Sequence, residues 1–225
     1  MPQNDTNFGI GTLVRVLILG FGPFPGAPRN PRAVLVTRLA RRRRPALAAI
    51  IRTTHVFATA YAAVDSELPK LLADKPDIVL MFGLAARRRQ LCIETQARNA
   101  RSILFPDVRG YRPARGVIVP GGPAALRGNA PFTRLLAAAR ASRMPARLSR
   151  DAGRYVCNYS YWRALALAGQ GSSPLVQFIH IPRVRFEPRR KRKQKYRAPT
   201  FGIVLAAAEN VLIALIAARR QQEHR

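Results

Sequence analysis

Twice along the chain a short, almost wholly apolar run stops at a glycine: Val14-Arg-Val-Leu-Ile-Leu-Gly20 and Pro76-Asp-Ile-Val-Leu-Met-Phe-Gly83. A strand that is apolar on both of its alternating faces has to be covered on both sides, as in the middle of a parallel sheet. Ala48–Thr54 is a third apolar run between them. The intervening stretches carry helical signals. Asn30-Pro31 opens a helix to about Arg43, with Asn as cap and Pro at the first helical position. Thr59–Ala73 places Ala63, Leu68, Leu71 and Leu72 at helical spacing. This alternation of strand and helix predicts an α/β fold in which helices cover both faces of a mostly parallel twisted sheet.

The middle of the chain reads differently. Gln90–Arg98 alternates loosely and Arg115–Val119 is another short β run, so a hairpin or side sheet is expected there. Ala124–Ser142 reads as a helix, Ala146–Ser149 as a short strand and Cys157–Ala168 as a helix. Leu175–Ile181 is a further buried strand, and Thr200–Arg220 closes the chain as a helix. Residues 1–12 are expected to be disordered, and Pro188–Pro199 to form a basic loop. No repeat or boundary divides the 225 residues, so one domain spanning 1–225 is expected.

Composition narrows the function classes. Two cysteines, Cys92 and Cys157, are too few for a disulfide scaffold and point to a reducing setting. The polar start, Met1 to Asn7, lacks the charged and apolar parts of a signal peptide, so a cytoplasmic protein is expected. No run reaches about 18 uninterrupted apolar residues, so no membrane association is expected. Phe201–Ala218 comes nearest, but Glu209 and Asn210 interrupt it and it reads as an amphipathic helix. The net charge of +28, from 39 basic and 11 acidic residues, attracts polyanions of any kind. Aromatic side chains are not interleaved with the runs Arg41–Arg44, Arg87–Arg89 and Arg189–Lys195, so nucleic acid is expected to bind non-specifically at most.

Ligands of open α/β sheets bind beyond the carboxyl ends of the strands. Four features lie at such ends: the Phe21–Pro25 loop, the Gly83–Gln90 turn, Cys157 and His180. Cys157 stands at the expected start of a helix, where unpaired amides and the helix dipole favour a thiolate. A cysteine and a histidine at converging sheet edges are what nucleophilic catalysis needs, with the imidazole as base and later as acid. Glu94 is the one acidic residue between Asp77 and Asp107 and is the candidate for orienting that imidazole. Metal-ligand spacing is absent, Gly20-Phe-Gly-Pro-Phe-Pro-Gly lacks dinucleotide-loop geometry, and no cofactor is expected.

Several of these blocks together resemble the pyroglutamyl peptidase I family (pyrrolidone-carboxylate peptidases), cysteine exopeptidases that remove N-terminal pyroglutamate. Gly20-Phe-Gly-Pro-Phe-Pro-Gly with Asn30-Pro31 resembles the family's opening motif, and Phe82-Gly-Leu-Ala-Ala-Arg its following glycine turn. Ile93-Glu-Thr-Gln-Ala-Arg-Asn99, Pro106-Asp107, Gly122-Pro-Ala124, Ala152-Gly-Arg-Tyr-Val-Cys-Asn158 and Phe178-Ile-His-Ile-Pro182 match further blocks in order. The resemblance implies a three-layer α/β/α sandwich of the phosphorylase/hydrolase-like kind. It also implies a triad of Cys157 as nucleophile, His180 as acid and base, and Glu94 as orienter. Phe21 and Phe24 would sandwich the pyrrolidone ring, and Tyr155 and Val156 would line the same pocket. The implied partners are a peptide with N-terminal pyroglutamate and further copies of the chain, as a homo-tetramer.

The chain also departs from the pattern. Leu84 stands where the family has Gln, and Leu104 where it has an arginine proposed to stabilise the oxyanion; Arg87–Arg89 and Arg101 are candidate replacements. The family's threonine ahead of Val-Phe is His55, and Arg189–Arg197 is an added basic stretch. Two alternatives stay open at this level: a related cysteine hydrolase of altered specificity, and a weakly active basic protein that binds a polyanion.

Overall fold

The structure, a computed structural model, describes residues 13–24, 31–169, 174–186 and 198–223. The expected disordered start, the Asn30 cap and most of the basic loop lie outside them.

The three apolar runs become β1 (Val14–Phe21), β2 (Ile50–Phe57) and β3 (Ile78–Leu84). Between them lie α1 (Pro31–Ala40) and α2 (Tyr61–Ala73). The order continues through β4 (Leu91–Glu94), β5 (Gln96–Arg98), β6 (Ala125–Arg127), α3 (Phe132–Arg140), β7 (Ala146–Ser149), α4 (Val156–Ala168), β8 (Leu175–Ile181) and α5 (Phe201–Glu223). The main sheet has the order β2-β1-β3-β8-β4-β7. All its pairings are parallel except β4 with β8.

Burial alternates along the strands as a three-layer sandwich requires. Val16, Ile18, Leu80, Ile93 and Ile179 face a core built with α1, α3 and α5. Leu17, Leu19, Val79, Met81, Val176 and Phe178 face the opposite core, built with α2 and α4. The sandwich expected from the sequence is therefore the fold observed.

Two expectations for the middle of the chain are corrected. The helix expected over Ala124–Ser142 starts only at Phe132. Ala125–Arg127 instead pairs antiparallel with Gln96–Arg98 as a small second sheet, because tertiary pairing overrides the helical propensity of alanine and leucine. Pro131, which lacks an amide hydrogen, stands immediately ahead of the helix. Arg115–Val119 is not a strand: the Asn99 side-chain oxygen accepts the amides of Ile118 (2.9 Å) and Val119 (2.8 Å), in place of a ladder partner. In the main sheet β4 joins as an interior strand rather than as part of a side sheet.

The closing helix α5 is long and apolar enough to cross a membrane by length and mean hydropathy (2.2 over its most apolar stretch). Half of that stretch is buried within the protein, and Leu212, Leu215 and Ile216 belong to the α1–α3 core. Glu209, fully buried on this helix, accepts hydrogen bonds from Arg42 Nη2 (2.8 Å) and Arg44 Nε (3.1 Å), just beyond α1.

Candidate active site

The reversal of direction between β8 and β4 sets the geometry of the first two site residues. Glu94 lies opposite Phe178 and Cys92 opposite His180. Glu94 and His180 are therefore diagonal neighbours on one face of the sheet, the face under α4. The Glu94 carboxylate meets His180 Nδ1 at 2.8 Å, with Glu94 fully buried and His180 nearly so. Two buried groups fix the Glu94 backbone: Gln177 Nε2 (3.0 Å) and the Tyr161 hydroxyl (3.1 Å) both donate to its carbonyl. Arg88 Nη1 donates to the same carboxylate oxygen that faces His180, at 2.8 Å, and Arg88 Nη2 reaches the Asp151 carbonyl at 2.5 Å. Glu94 is thus both ion-paired and an imidazole partner.

Cys157 occupies the first turn of α4, whose N-cap residue Tyr155 supplies no side-chain cap. The first-turn amides of this helix and its dipole are directed at the sulfur's side of the site. Asn158, next in sequence, is fully buried: its amide donates to the Arg98 and Ala100 carbonyls (both 2.8 Å) and its oxygen accepts the Arg98 amide at 2.9 Å. These bonds fasten the start of α4 to β5 and the residues just after it. Since Nδ1 of His180 faces Glu94, Nε2 is left for Cys157, which lines the same cavity.

Burial pushes the Cys157 thiol up, as the largest single influence. The His180 hydrogen bond and the charges of His180 and Arg32 outweigh it, against opposition from Glu94, and the thiol titrates below its ordinary value. Burial likewise pulls His180 down, but its bonds to Cys157 and Glu94 raise it to about 9. Both shifts favour a thiolate beside an imidazolium.

Cys157 and His180 open onto a cavity of about 260 Å³ that is also lined by Phe24, Arg32, Leu84, Arg88, Gly153 and Tyr155. Gly153 holds a left-handed backbone (φ +83°) in the turn that leads into Cys157. A second, largely apolar cavity of about 340 Å³ adjoins the first through Phe24 and Tyr155, with Phe105 and Pro106 as its other walls. The Tyr155 hydroxyl donates to the Pro106 carbonyl at 2.9 Å and ties these walls together. A nucleophile, an oriented acid–base group and an apolar slot are the parts of an acyl-transfer site.

The family described as pyroglutamyl peptidase matches the chain over residues 14–221. The chain belongs to that family. The pyrrolidone-carboxylate peptidase of Gloeobacter violaceus is 34% identical over 170 residues, which are 75% of this chain and 82% of that one. That of Thermococcus onnurineus is 33% identical over 171 residues, 75% of this chain and 84% of its own. Among solved structures, the pyrrolidone carboxyl peptidase from Thermococcus litoralis superposes with a TM-score of 0.80 at 26% identity, covering 95% of this chain and 97% of that one. The pyroglutamyl peptidase I of Bacillus amyloliquefaciens gives 0.77 at 26% identity, covering 92% and 98%.

As a pyroglutamyl peptidase family member the chain places its expected site residues unevenly. Cys157, His180 and Glu94 come together, and Phe24 and Tyr155 line the cavities. Phe21 and Val156 do not: both are fully buried in the α2–α4 core, Phe21 against Phe57 and Phe178 at ring-centroid distances of 5.7 and 6.3 Å. The two phenylalanines of the opening motif do flank a planar group, but it is the Arg32 guanidinium, 5.7 Å from the Phe21 centroid and 5.2 Å from that of Phe24. Leu84 is on the cavity wall, whereas Leu104 is 70% exposed. Of the arginines considered as replacements, Arg88 engages Glu94, and Arg101 donates to the Arg115 carbonyl at 3.0 Å.

Arg32 is the site residue the sequence reading passed over. Its signal was available: a basic residue in the first turn of α1 opposes the helix dipole, and such a placement needs a reason from elsewhere.

Proposed function

We propose that the protein hydrolyses the amide bond after an N-terminal pyroglutamyl residue, with Cys157, His180 and Glu94 as its catalytic triad. The observation that carries this reading is Cys157 sharing one cavity with a His180 hydrogen-bonded to buried Glu94, beside an apolar slot in a chain of this family. Membership of the family supports the substrate, and the slot of Phe24, Phe105, Pro106 and Tyr155 suits a small neutral ring, because apolar walls do not select for charge.

The Cys157 thiolate attacks the pyroglutamyl carbonyl carbon, and the carbonyl π electrons move onto oxygen. The intermediate collapses as the C–N bond breaks, and the His180 imidazolium gives its proton to the departing amine. The shortened peptide leaves a neutral thioester on Cys157. Neutral His180 then takes a proton from water as the water attacks the thioester, and free pyroglutamate departs from a restored thiolate. Glu94 accepts the Nδ1 hydrogen throughout, fixing the tautomer and stabilising the imidazolium.

A reducing, cytoplasmic setting suits a free nucleophilic thiol, and a homo-tetramer is the assembly that the family resemblance implies; light scattering on the purified chain reads the latter. The enzymatic reading is tested with a fluorogenic pyroglutamyl amide. The wild type releases the fluorophore and Cys157→Ser does not. No turnover by the wild type, or turnover surviving in Cys157→Ser, would remove the proposal.

A further inference from the structure

Arg88 lies in the turn between β3 and β4, on the wall of the cavity that holds Cys157 and His180. Its Nη1 donates to Glu94 Oε1 at 2.8 Å, and His180 Nδ1 meets the same oxygen at 2.8 Å. The other carboxylate oxygen, Oε2, is buried and has no hydrogen-bond partner among the described residues. An arginine facing a carboxylate often takes both oxygens through two parallel bonds, which is the stronger arrangement. Here the second nitrogen is held elsewhere. Nη2 donates to the Asp151 carbonyl at 2.5 Å, and Nη1 also reaches the Ser149 hydroxyl at 3.3 Å. The Asp151 carboxylate in turn accepts the Gly153 amide at 3.1 Å, in the turn that leads to Cys157. This anchor keeps the guanidinium on the one oxygen it shares with the imidazole.

Sharing that oxygen has a chemical consequence. A fully buried carboxylate facing a histidine alone would hold the imidazolium strongly, because charge attraction is little screened there. An imidazolium held so tightly is a poor acid, yet its proton has to pass to the leaving amine. A cation on the same oxygen draws charge from that bond and repels the imidazolium as well. The groups facing His180 come from several elements: Glu94 and Cys92 from β4, Cys157 from α4, Arg88 from the turn after β3 and Arg32 from α1. Among them, Arg88 donates directly to the oxygen that orients the imidazole.

We propose that Arg88 is a positioning residue of the Cys157 reaction, acting through Glu94: its guanidinium, anchored on Asp151 and Ser149, moderates the hold of the carboxylate on the imidazolium and keeps the proton transferable. The destination of that proton rests on the peptidase reading; the effect on His180 does not. The coupling is felt at Arg88 too, where burial pulls the guanidinium down and the Glu94 charge helps to raise it.

The deciding measurement needs no substrate. The imidazole ring protons are followed by NMR against pH, with His180 assigned by the signal lost in His180→Gln. In Arg88→Met the alkaline step of His180 is expected to lie about 0.5 to 1 pH unit above that of the wild type, since a nearby like charge has been removed. The alkaline limb of kcat/KM on the fluorogenic amide should rise with it, and kcat should fall about three- to tenfold, as for a weaker acid. A purely structural role gives the opposite sign, because a loosened Glu94 lets His180 fall back towards its ordinary value of about 6.5. Arg88→Lys keeps the charge and is expected to bring the step back towards the wild type. Arg88→Gln, neutral but still a hydrogen-bond donor, takes the place of Arg88→Met if that variant does not fold. A step that is unmoved or lowered in the folded neutral variant, or a rise that Arg88→Lys shares in full, would overturn the proposal. A wild type with a raised His180 step but no turnover counts against the peptidase reading alone, and the shift in the neutral variant still decides what Arg88 does.

Discussion

A thiolate and an imidazolium, each stabilised by the other, define the range of pH in which the site can work. The Cys157 thiol is lowered, so acid inactivates by protonating the sulfur, below the ordinary thiol range. His180 is raised to about 9, so base inactivates by removing the proton that the leaving amine needs. The expected kcat/KM profile is a bell whose alkaline limb lies near pH 9; an alkaline limb near pH 6.5 would mean that the imidazole is not held as described. Glu94→Gln keeps the shape of the orienting group but not its charge. It should lower kcat by at least about a hundredfold and bring the alkaline limb down, since one of the bonds that raises His180 is weakened.

The room for this pair is made by a neighbour. A methyl group on Gly83 would stand 2.7 and 2.8 Å from the Phe178 ring and 2.9 Å from His180 Cδ2. Gly83→Ala must therefore displace Phe178, which packs on the imidazole, or His180 itself, and a drop of up to about a hundredfold in kcat with a folded protein is the expected outcome. At this scale the proposed triad was legible because its residue types are rare in the chain. Three histidines and one isolated carboxylate left little to choose from. Arg32 was not legible for the opposite reason: in a chain with 39 basic residues one more arginine carries no weight until its burial is known.

Among the elements, β1, β3 and β8 could be read from sequence because burial on both faces leaves a simple pattern. The stretch between β5 and β6 could not, because side chains rather than ladders organise it. Asn99 takes the amides of Ile118 and Val119, and Asp107 takes those of Arg109 (2.9 Å), Tyr111 (3.0 Å) and Tyr61 (3.0 Å). The last of these begins α2, so a loop residue far along the chain does the work of a helix cap. Asp107→Ala should cost about 1–2 kcal/mol in urea unfolding, the usual effect of losing a cap, where an ordinary surface aspartate would cost little. The same change unfastens the loop that carries Phe105 and Pro106, so KM for the pyroglutamyl amide is expected to rise more than kcat falls. A loss of stability with KM unchanged would separate the cap from the pocket wall.

For the molecule as a whole, the charge of +28 and the buried Glu209 bear on stability together. Burial pushes the Glu209 carboxyl up, but the hydrogen bond and charge of Arg42, with Arg44, outweigh it and bring it below its ordinary value. A carboxylate lowered in the folded state contributes stability above its unfolded pKa of about 4.3, and that contribution is lost as pH falls through the folded value. Glu209→Gln should thus destabilise the protein by about 1–3 kcal/mol at neutral pH. The difference from wild type should shrink in urea melts taken progressively below about pH 4; a gap that stayed constant would mean that the ion pair contributes nothing.

The ion pair also says something about how the chain comes into being. Helix α5 is the last described element to be synthesised, yet it covers one whole face of the sheet together with α1 and α3. Until it arrives, the part of the α1–α3 core that α5 covers stays open, while the opposite core of α2 and α4, which includes Cys157, does not depend on α5. A nascent chain halted before Phe201 would carry a nearly complete reaction centre on a half-dressed body, and a chaperone would meet it on the side away from the chemistry.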